Sequence, residues 1–481
     1  MDKVQQVNEL SSRNPIKFLE LLDQYIDLPT LIPQSFYRNY YSSPTNDRDY
    51  PLESLLAISL LMHFFKFATT SNFITLLLLS PAVCAFCRLP DGHVPTDSVM
   101  SKFKTTFENE LRLFFESLTL PVMDIFSEYN ASLPDDSPDK GLSETAVYDT
   151  TGLKPKVKEN NPKTLASEVK RQSNYKKYLE QKGQDKGFNA YSAAFKNMPK
   201  FANANDSIRL GYANGHFGYF YKFGMLTNGF GIPLHIHFLD NDFYKSLPDE
   251  FDSPEQQKYV YDNASLFPAL SSFHNRITHG RFTTFLGDSE FDSYDNYGLL
   301  NELGYSRVLI PLNERNTPLF NQTIPINSEG IPVCPNDHNS PFIADGSCKG
   351  INRSFRLKYV CPKSRKVSNK WVCDCEDKCR DTNSTVSSYT YPCGNLRVYS
   401  GVQRGSNEWS DVYKTRTIIE REISSMKSHP ALERPNTYTC SSMRSDVFLN
   451  AAAKLITVIL AFALDKPNFM RNLNKLLNSA A

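Results

Sequence analysis

Three carboxylates carry the chemistry this sequence offers: Asp149, Asp288 and Glu420. Glu420 lies in YKTRTIIEREISSMK, Tyr413 to Lys427. A helix turns about 100° per residue, so Tyr413, Arg416, Glu420 and Lys427 fall in a sector of roughly 60°. One hydroxyl, two cations and one acid then share a face. Val412, Ile419, Ile423 and Met426 form the adjoining apolar stripe, which would dock the helix on a core. Glu422 points to the opposite side, so Glu420 is the acid of the polar face. That assignment requires unbroken helix from Val412 to Lys427. Taken alone, such a face is equally a surface ion-pair ladder of little energetic weight.

The two aspartates share a local setting. Asp149 ends a short β-prone run in ETAVYDTTGL, and Asp288 ends the apolar run in RFTTFLGDSEF. Ligands of open α/β sheets bind at such strand ends, although a single carboxylate there is commonly a turn or cap residue. Two of them with Glu420 make a different case. Three neighbouring carboxylates in a basic surrounding cannot all stay ionised and unpaired, and a divalent cation is their natural partner. Hard oxygen ligands favour Mg²⁺ or Mn²⁺.

The elements that must hold these residues can be read in outline. At 481 residues the chain exceeds one core, and two or three domains are expected. The 53 Lys and Arg nearly balance 52 Asp and Glu, so total charge advertises no polyanionic partner. The distribution is less even: residues 151–200 hold twelve basic and four acidic side chains, either a solvated lysine-rich loop or a surface that meets phosphates. Lys154 and Lys156 open that stretch. The N-terminus lacks a secretory pattern. The longest apolar runs, LLAISLLMHFF and LITVILAFAL, are shorter than the roughly 20 residues of a bilayer span and read as buried helices. A soluble intracellular protein with reduced cysteines is expected, with no membrane partner.

Residues 15–120 show helical periodicity in IKFLELLDQYI, LESLLAISLLMHFFKF and DSVMSKFKTTFENELRLFFESL, the last capped by Thr96 or Asp97. Cys84 and Cys87, with only His93 nearby, read as buried thiols rather than a zinc site. NASLPDDSPDKGLS, residues 130–143, is a linker. Beyond it FGYFYKFGMLT and GIPLHIHFLD, separated by Asn228 and Gly229, form a hairpin signal. His235 and His237 share one face of its second strand and read as structural. A strand ending at Asp288, a helix and the strand YSRVLIPLN follow, which suits an α/β sheet. Seven of the ten cysteines then fall between residues 314 and 400. A reduced compartment disfavours disulfides, and a structural zinc on Cys334, Cys361, Cys375 and Cys379 is the alternative. Trp409, just before the polar helix face, anchors the helix start or stacks on an unpaired base.

The residues resemble a known family. The pattern Y-x2-R-x3-E-x6-K, here Tyr413, Arg416, Glu420 and Lys427, is similar to the signature of the DDE transposases of bacterial insertion sequences. RGSNEWSDVYKTRTIIEREISSMK is similar beyond those four residues, VYDTTGLK resembles the segment of the first family aspartate, and FLGDSEFDS that of the second. LESLLAISLLMHFF and HVPTDSVMSKF resemble the domain that precedes the catalytic core. The resemblance implies that Asp149, Asp288 and Glu420 hold two divalent ions, one activating water and later the 3′-hydroxyl, the other stabilising the leaving oxygen. It implies that Tyr413, Arg416 and Lys427 contact phosphates of the transposon end. The implied fold is α/β: a ribonuclease H-like catalytic core with an all-α N-terminal domain and a cysteine-containing insertion domain. The segments would be 1–130 for DNA-end binding, 140–313 and 405–475 for the core, and 314–404 for the insertion. A homodimer on double-stranded DNA, in the bacterial cytoplasm and at the nucleoid when bound, is expected. A non-catalytic DNA-binding descendant and a metal-dependent nuclease without strand transfer are the rival readings.

Overall fold

The computed structural model describes residues 15–480 apart from 43–47, 90–92, 214, 249–253, 278–281, 314–324, 349–353, 369, 377–386 and 392–394. Its architecture is mixed α/β. The longer N-terminal helices are α1 (Pro15–Tyr25), α2 (Leu52–Phe64), α3 (Asp97–Thr106) and α4 (Glu108–Ser132). Thr96 caps α3, its hydroxyl accepting from the Val99 amide. Apart from Glu53, α2 is buried from Leu52 to His63, as a helix apolar all round must be. α4 runs to Ser132, three residues into the expected linker.

The sheet is built on β1 (Thr145–Leu153). On one side β1 pairs antiparallel with β4 (His216–Asn228); on the other it pairs parallel with β6 (Thr284–Leu286), which pairs parallel with β7 (Arg307–Leu309). Two strands share the length of β4: β3 (Asn205–Ala213) joins residues 216–220 and β5 (Pro233–Phe238) joins residues 223–227. The two-residue β2 (Phe201–Ala202) extends β3. Between β1 and β2 the chain makes an excursion carrying α5 (Pro162–Gln181) and α6 (Ala190–Asn197). The hairpin expected at Asn228–Gly229 closes through a wider loop instead. The Asn228 side-chain oxygen accepts from the amides of Phe230 and Ile232, and Gly231 takes the positive φ of +75°. An asparagine side chain folded onto its own loop sets the turn there.

Helices cover both faces of the sheet. Because side chains alternate along a strand, Ala146 and Tyr148 face α7 (Pro254–Arg276), packing with its Leu266, Ala269, Leu270 and Phe273. Val147 faces the other side, where Leu286, Leu309 and Ile419 join it. Ile419 belongs to α10 (Thr417–Lys427), which follows α9 (Asn407–Tyr413); α8 (Tyr294–Glu302) links β6 to β7.

The last long helix, α11 (Cys440–Ala463), ties the halves together. Phe448 packs on Phe115 of α4 at 6.0 Å and on Phe238 of β5 at 5.6 Å. One apolar cluster therefore runs from α1 through α4 and α11 into β3, β4 and β5. α11 is 24 residues long and apolar enough to cross a membrane, longer than the LITVILAFAL run suggested, but 72% of its apolar window is buried within the protein.

The cysteine-bearing segment has its own small cluster of Ile331, Cys334, Phe342, Leu357, Tyr359 and Cys361. Its strands are β8 (Val333–Cys334), β9 (Asp337–Pro341), β10 (Ile343–Cys348), β11 (Arg356–Val360), β12 (Ser364–Val367), β13 (Lys370–Cys373) and β14 (Ser387–Thr390). Two buried arginines moor the returning chain. Arg397 pairs with buried Asp292 at 2.7 Å, and Arg404 donates to the Ile310 carbonyl and the Tyr297 hydroxyl.

Candidate active site

The β1–β6 register decides where the aspartates stand. Val147 lies opposite Leu286, and each aspartate follows two residues later, on the same face of its strand by the two-residue period. Both carboxylates therefore emerge side by side, on the face that α10 covers. Asp149 Oδ1 accepts from the Thr150 amide at 2.8 Å, and Asp288 Oδ1 accepts from the Glu290 amide at 2.9 Å. Each keeps its second oxygen for the site.

Those oxygens converge on one cation. Arg416 Nη2 stands 3.0 Å from Asp149 Oδ2 and 3.4 Å from Asp288 Oδ2, while its Nη1 donates to Glu420 Oε1. Arg416 thus joins all three predicted acids. Burial, then the charge of Asp288, pushes Asp149 up to about 7 despite Arg416. Burial and then Asp262 raise Asp288. Among the described residues no group of three or more His, Cys, Asp or Glu side chains is placed to hold a metal ion; Glu420 meets the aspartates through the guanidinium. The two aspartate oxygens share this single positive group.

The rest of the polar face gathers at the same place. The Tyr413 hydroxyl donates to the Gly287 carbonyl at 3.3 Å, beside Asp288. Lys427 lies at the far end of α10, where burial lowers it to about 8 against the opposing pull of Asp149. Glu422 is buried on the opposite side with Lys454 and Arg471. The helix from Val412 to Lys427 is not unbroken, however. A 3₁₀ turn over Lys414–Arg416 separates α9 from α10. The Thr417 hydroxyl takes the Lys414 carbonyl at 3.0 Å, a local bond that competes with the regular ladder. Tyr413, Lys414, Arg416 and Thr417 all remain right-handed helical, so the four residues still converge. Trp409 stacks on Tyr413, ring centroids 4.7 Å apart, and both line a 720 Å³ cleft with Ser289 and Arg404. Lys154 and Lys156 stand apart, beyond the end of β1. Lys154 is half-buried and lowered by burial and Arg434, and Lys156 is exposed.

Sequence reasoning missed a second layer behind the aspartates. Asp262 of α7 and Lys222 of β4 form a buried pair at 2.8 Å, and the Thr150 hydroxyl donates to the same carboxylate. Lys258 sits near the same acids. Burial opposes its charge, but Asp262, Asp288, Glu290 and Asp149 together hold its pKa up. A signal existed: Lys222 interrupts FGYFYKFGMLT, where a charge in an apolar strand needs a partner.

Of the expected zinc ligands, Cys334 and Cys361 are buried and Cys375 is half-buried; Cys379 lies outside the described residues, as does Cys393. The Cys375 thiol is hydrogen-bonded with that of Cys373, not among the expected set, and that hydrogen bond first, then burial, pushes it up to about 11. His235 is buried beside Phe273, with burial holding it neutral. Cys84 donates to the Leu77 carbonyl and Cys87 is buried.

Residues 6–106 match the family model described as a transposase domain (DUF772). This supports a transposase, a protein that acts on DNA. Comparisons with curated proteins and with solved structures returned no match.

Proposed function

We propose that the protein is a DDE transposase that cuts and joins the ends of its own DNA element by metal-dependent phosphoryl transfer. The observation that carries this reading is the convergence of Asp149, Asp288 and Glu420 on Arg416. The sheet order β5–β4–β1–β6–β7, an antiparallel hairpin followed by two parallel strands, supports a ribonuclease H-like core.

Asp149, Asp288 and Glu420 would hold Mg²⁺ or Mn²⁺, in the two-ion arrangement that the resemblance implies. The chemistry supplied by such ions when bound is charge stabilisation at the attacking and leaving oxygens of an in-line displacement. Arg416 can serve either carboxylates or a phosphate, because the same planar fork matches both. Lys427, whose charge burial disfavours, would be a cationic partner for a phosphate. The Tyr413 hydroxyl, already oriented by Gly287, is a hydrogen-bond donor at the edge of the site. Together these groups position a scissile phosphate rather than attack it. The cysteines of the insertion, with a structural zinc on Cys334, Cys361, Cys375 and Cys379, belong to the same proposal.

The test uses linear duplex DNA carrying the candidate element ends, with Mg²⁺. Wild type should nick at the end and join a pre-cut end to a target. Asp149→Asn should lose cleavage by at least about 10³-fold, the scale of losing a principal charge-stabilising group, while binding the ends as tightly. Normal cleavage by that variant would remove Asp149 from the site. Nicking without joining would identify a nuclease, and tight binding without cleavage by wild type a non-catalytic binder.

A further inference from the structure

The excursion between β1 and β2 is absorbed by no part of the site just described. Its main helix, α5, is 20 residues long, about 30 Å, and rests on α6. The resting side is defined by Gln172, which is buried, and by Glu168, which takes hydrogen bonds from Arg171, Gln172 and Asn197. The opposite side is different. Lys163, Lys170 and Lys177 recur every seven residues, with Arg171 beside them, and all four are exposed. At 100° per residue they lie within a sector of roughly 120°. Ser167, Asn174 and Gln181 fill the gaps between them, and neither acid of the helix shares the sector. Glu168 faces α6 and Glu180 lies on a flank. The helix follows β1 in the chain, beginning at Pro162 after the strand ends at Leu153.

A one-signed row on an exposed, mostly polar helix attracts a polyanion more than any other partner. Its three lysines span about 21 Å at 1.5 Å per residue, far more than one phosphate group and suited to a continuous backbone. Lysines are mobile point charges that read no base edge. We propose that this face of α5 is a clamp for the phosphate backbone of duplex DNA, binding without regard to sequence. The proposal rests on the transposase reading for DNA as the polyanion, not for the charge complementarity.

The test is titration of the full-length protein with a labelled linear duplex of arbitrary sequence, over a range of salt concentrations. The variant is the triple Lys163→Gln, Lys170→Gln, Lys177→Gln, whose side chains face solvent. Its log–log salt slope should be shallower than that of wild type by roughly 2 to 3, since each lost phosphate contact removes about 0.9. The corresponding triple Lys→Arg variant should keep the wild-type slope, which separates charge from fold. An unchanged slope in the glutamine variant overturns the proposal. So does equal weakening in both variants. Salt-dependent binding through α5 by a wild type that never cuts its element ends would sink the transposase reading and leave the clamp standing. Cleavage by wild type with an unchanged slope in the variant would do the reverse.

Discussion

Asp262 shows how much a single residue behind the site can matter. Its carboxylate is buried, accepts from Thr150 and pairs with Lys222, which is itself buried. Removing one charge of such a pair leaves the other unpaired in the interior, at a cost of roughly 3–5 kcal/mol. Asp262→Asn should therefore lower the urea midpoint sharply. Asp262→Asn combined with Lys222→Met should recover much of the loss, since no orphan charge remains. An Asp262→Asn protein as stable as wild type would mean that Lys222 finds another partner. The same residue raises Asp288, so the second layer also helps to set the charge of the first.

At the scale of elements, the junction between α2 and the end of α10 is sensitive to pH. His429 caps the short helix Pro430–Glu433 through Nδ1, and its ring lies 4.6 Å from that of His63 in α2. Burial, followed by the neighbouring His63, lowers His429 to about 4 from 6.5. Between those values the unfolded chain holds a proton that the folded protein does not. The stability that His429 contributes is thus complete above pH 6.5 and is lost as the pH drops toward 4, by up to roughly 3 kcal/mol. From pH 6.5 to 4, the melting temperature of wild type should drop relative to that of His429→Asn, which keeps a capping oxygen without the titrating ring. Parallel curves for the two proteins would assign the acid sensitivity elsewhere.

For the whole molecule, the continuity of the main core predicts a single cooperative transition for the helical N-terminal part and the sheet. Phe126 of α4 is buried, stacks on Phe230 at 5.0 Å and meets Phe462 of α11 at 5.7 Å. Phe126→Ala should cost about 3–5 kcal/mol and lower the melting of helices and sheet together. Separate shifts, seen by residue-resolved hydrogen exchange, would show that the two parts fold independently. The insertion, with its own small cluster, is the region expected to open first.

The acids and their helix partners were legible in the sequence because helical and strand periods are local: 100° per residue groups Tyr413, Arg416, Glu420 and Lys427, and alternation puts Asp149 on the face of Val147. The helical character of the N-terminal part and the strand–helix–strand run around Asp288 were legible for the same reason, although the stretch from Asp97 read as one helix is broken at Phe107 into α3 and α4. Three features were not. The 3₁₀ turn at Lys414–Arg416 is a local tightening of hydrogen-bond spacing from four residues to three, a difference too small for periodicity to register. The partnership of Lys222 with Asp262 joins residues forty positions apart, and only packing of α7 on the sheet brings them together. The meeting of Asp149 with Asp288 is of the same kind. Local sequence suggests an acid at the end of each strand, yet β1 continues past Asp149 to Leu153 in its pairing with β4; the parallel register of β1 on β6, set by which side chains fit between two helical layers, decides that the two acids stand side by side.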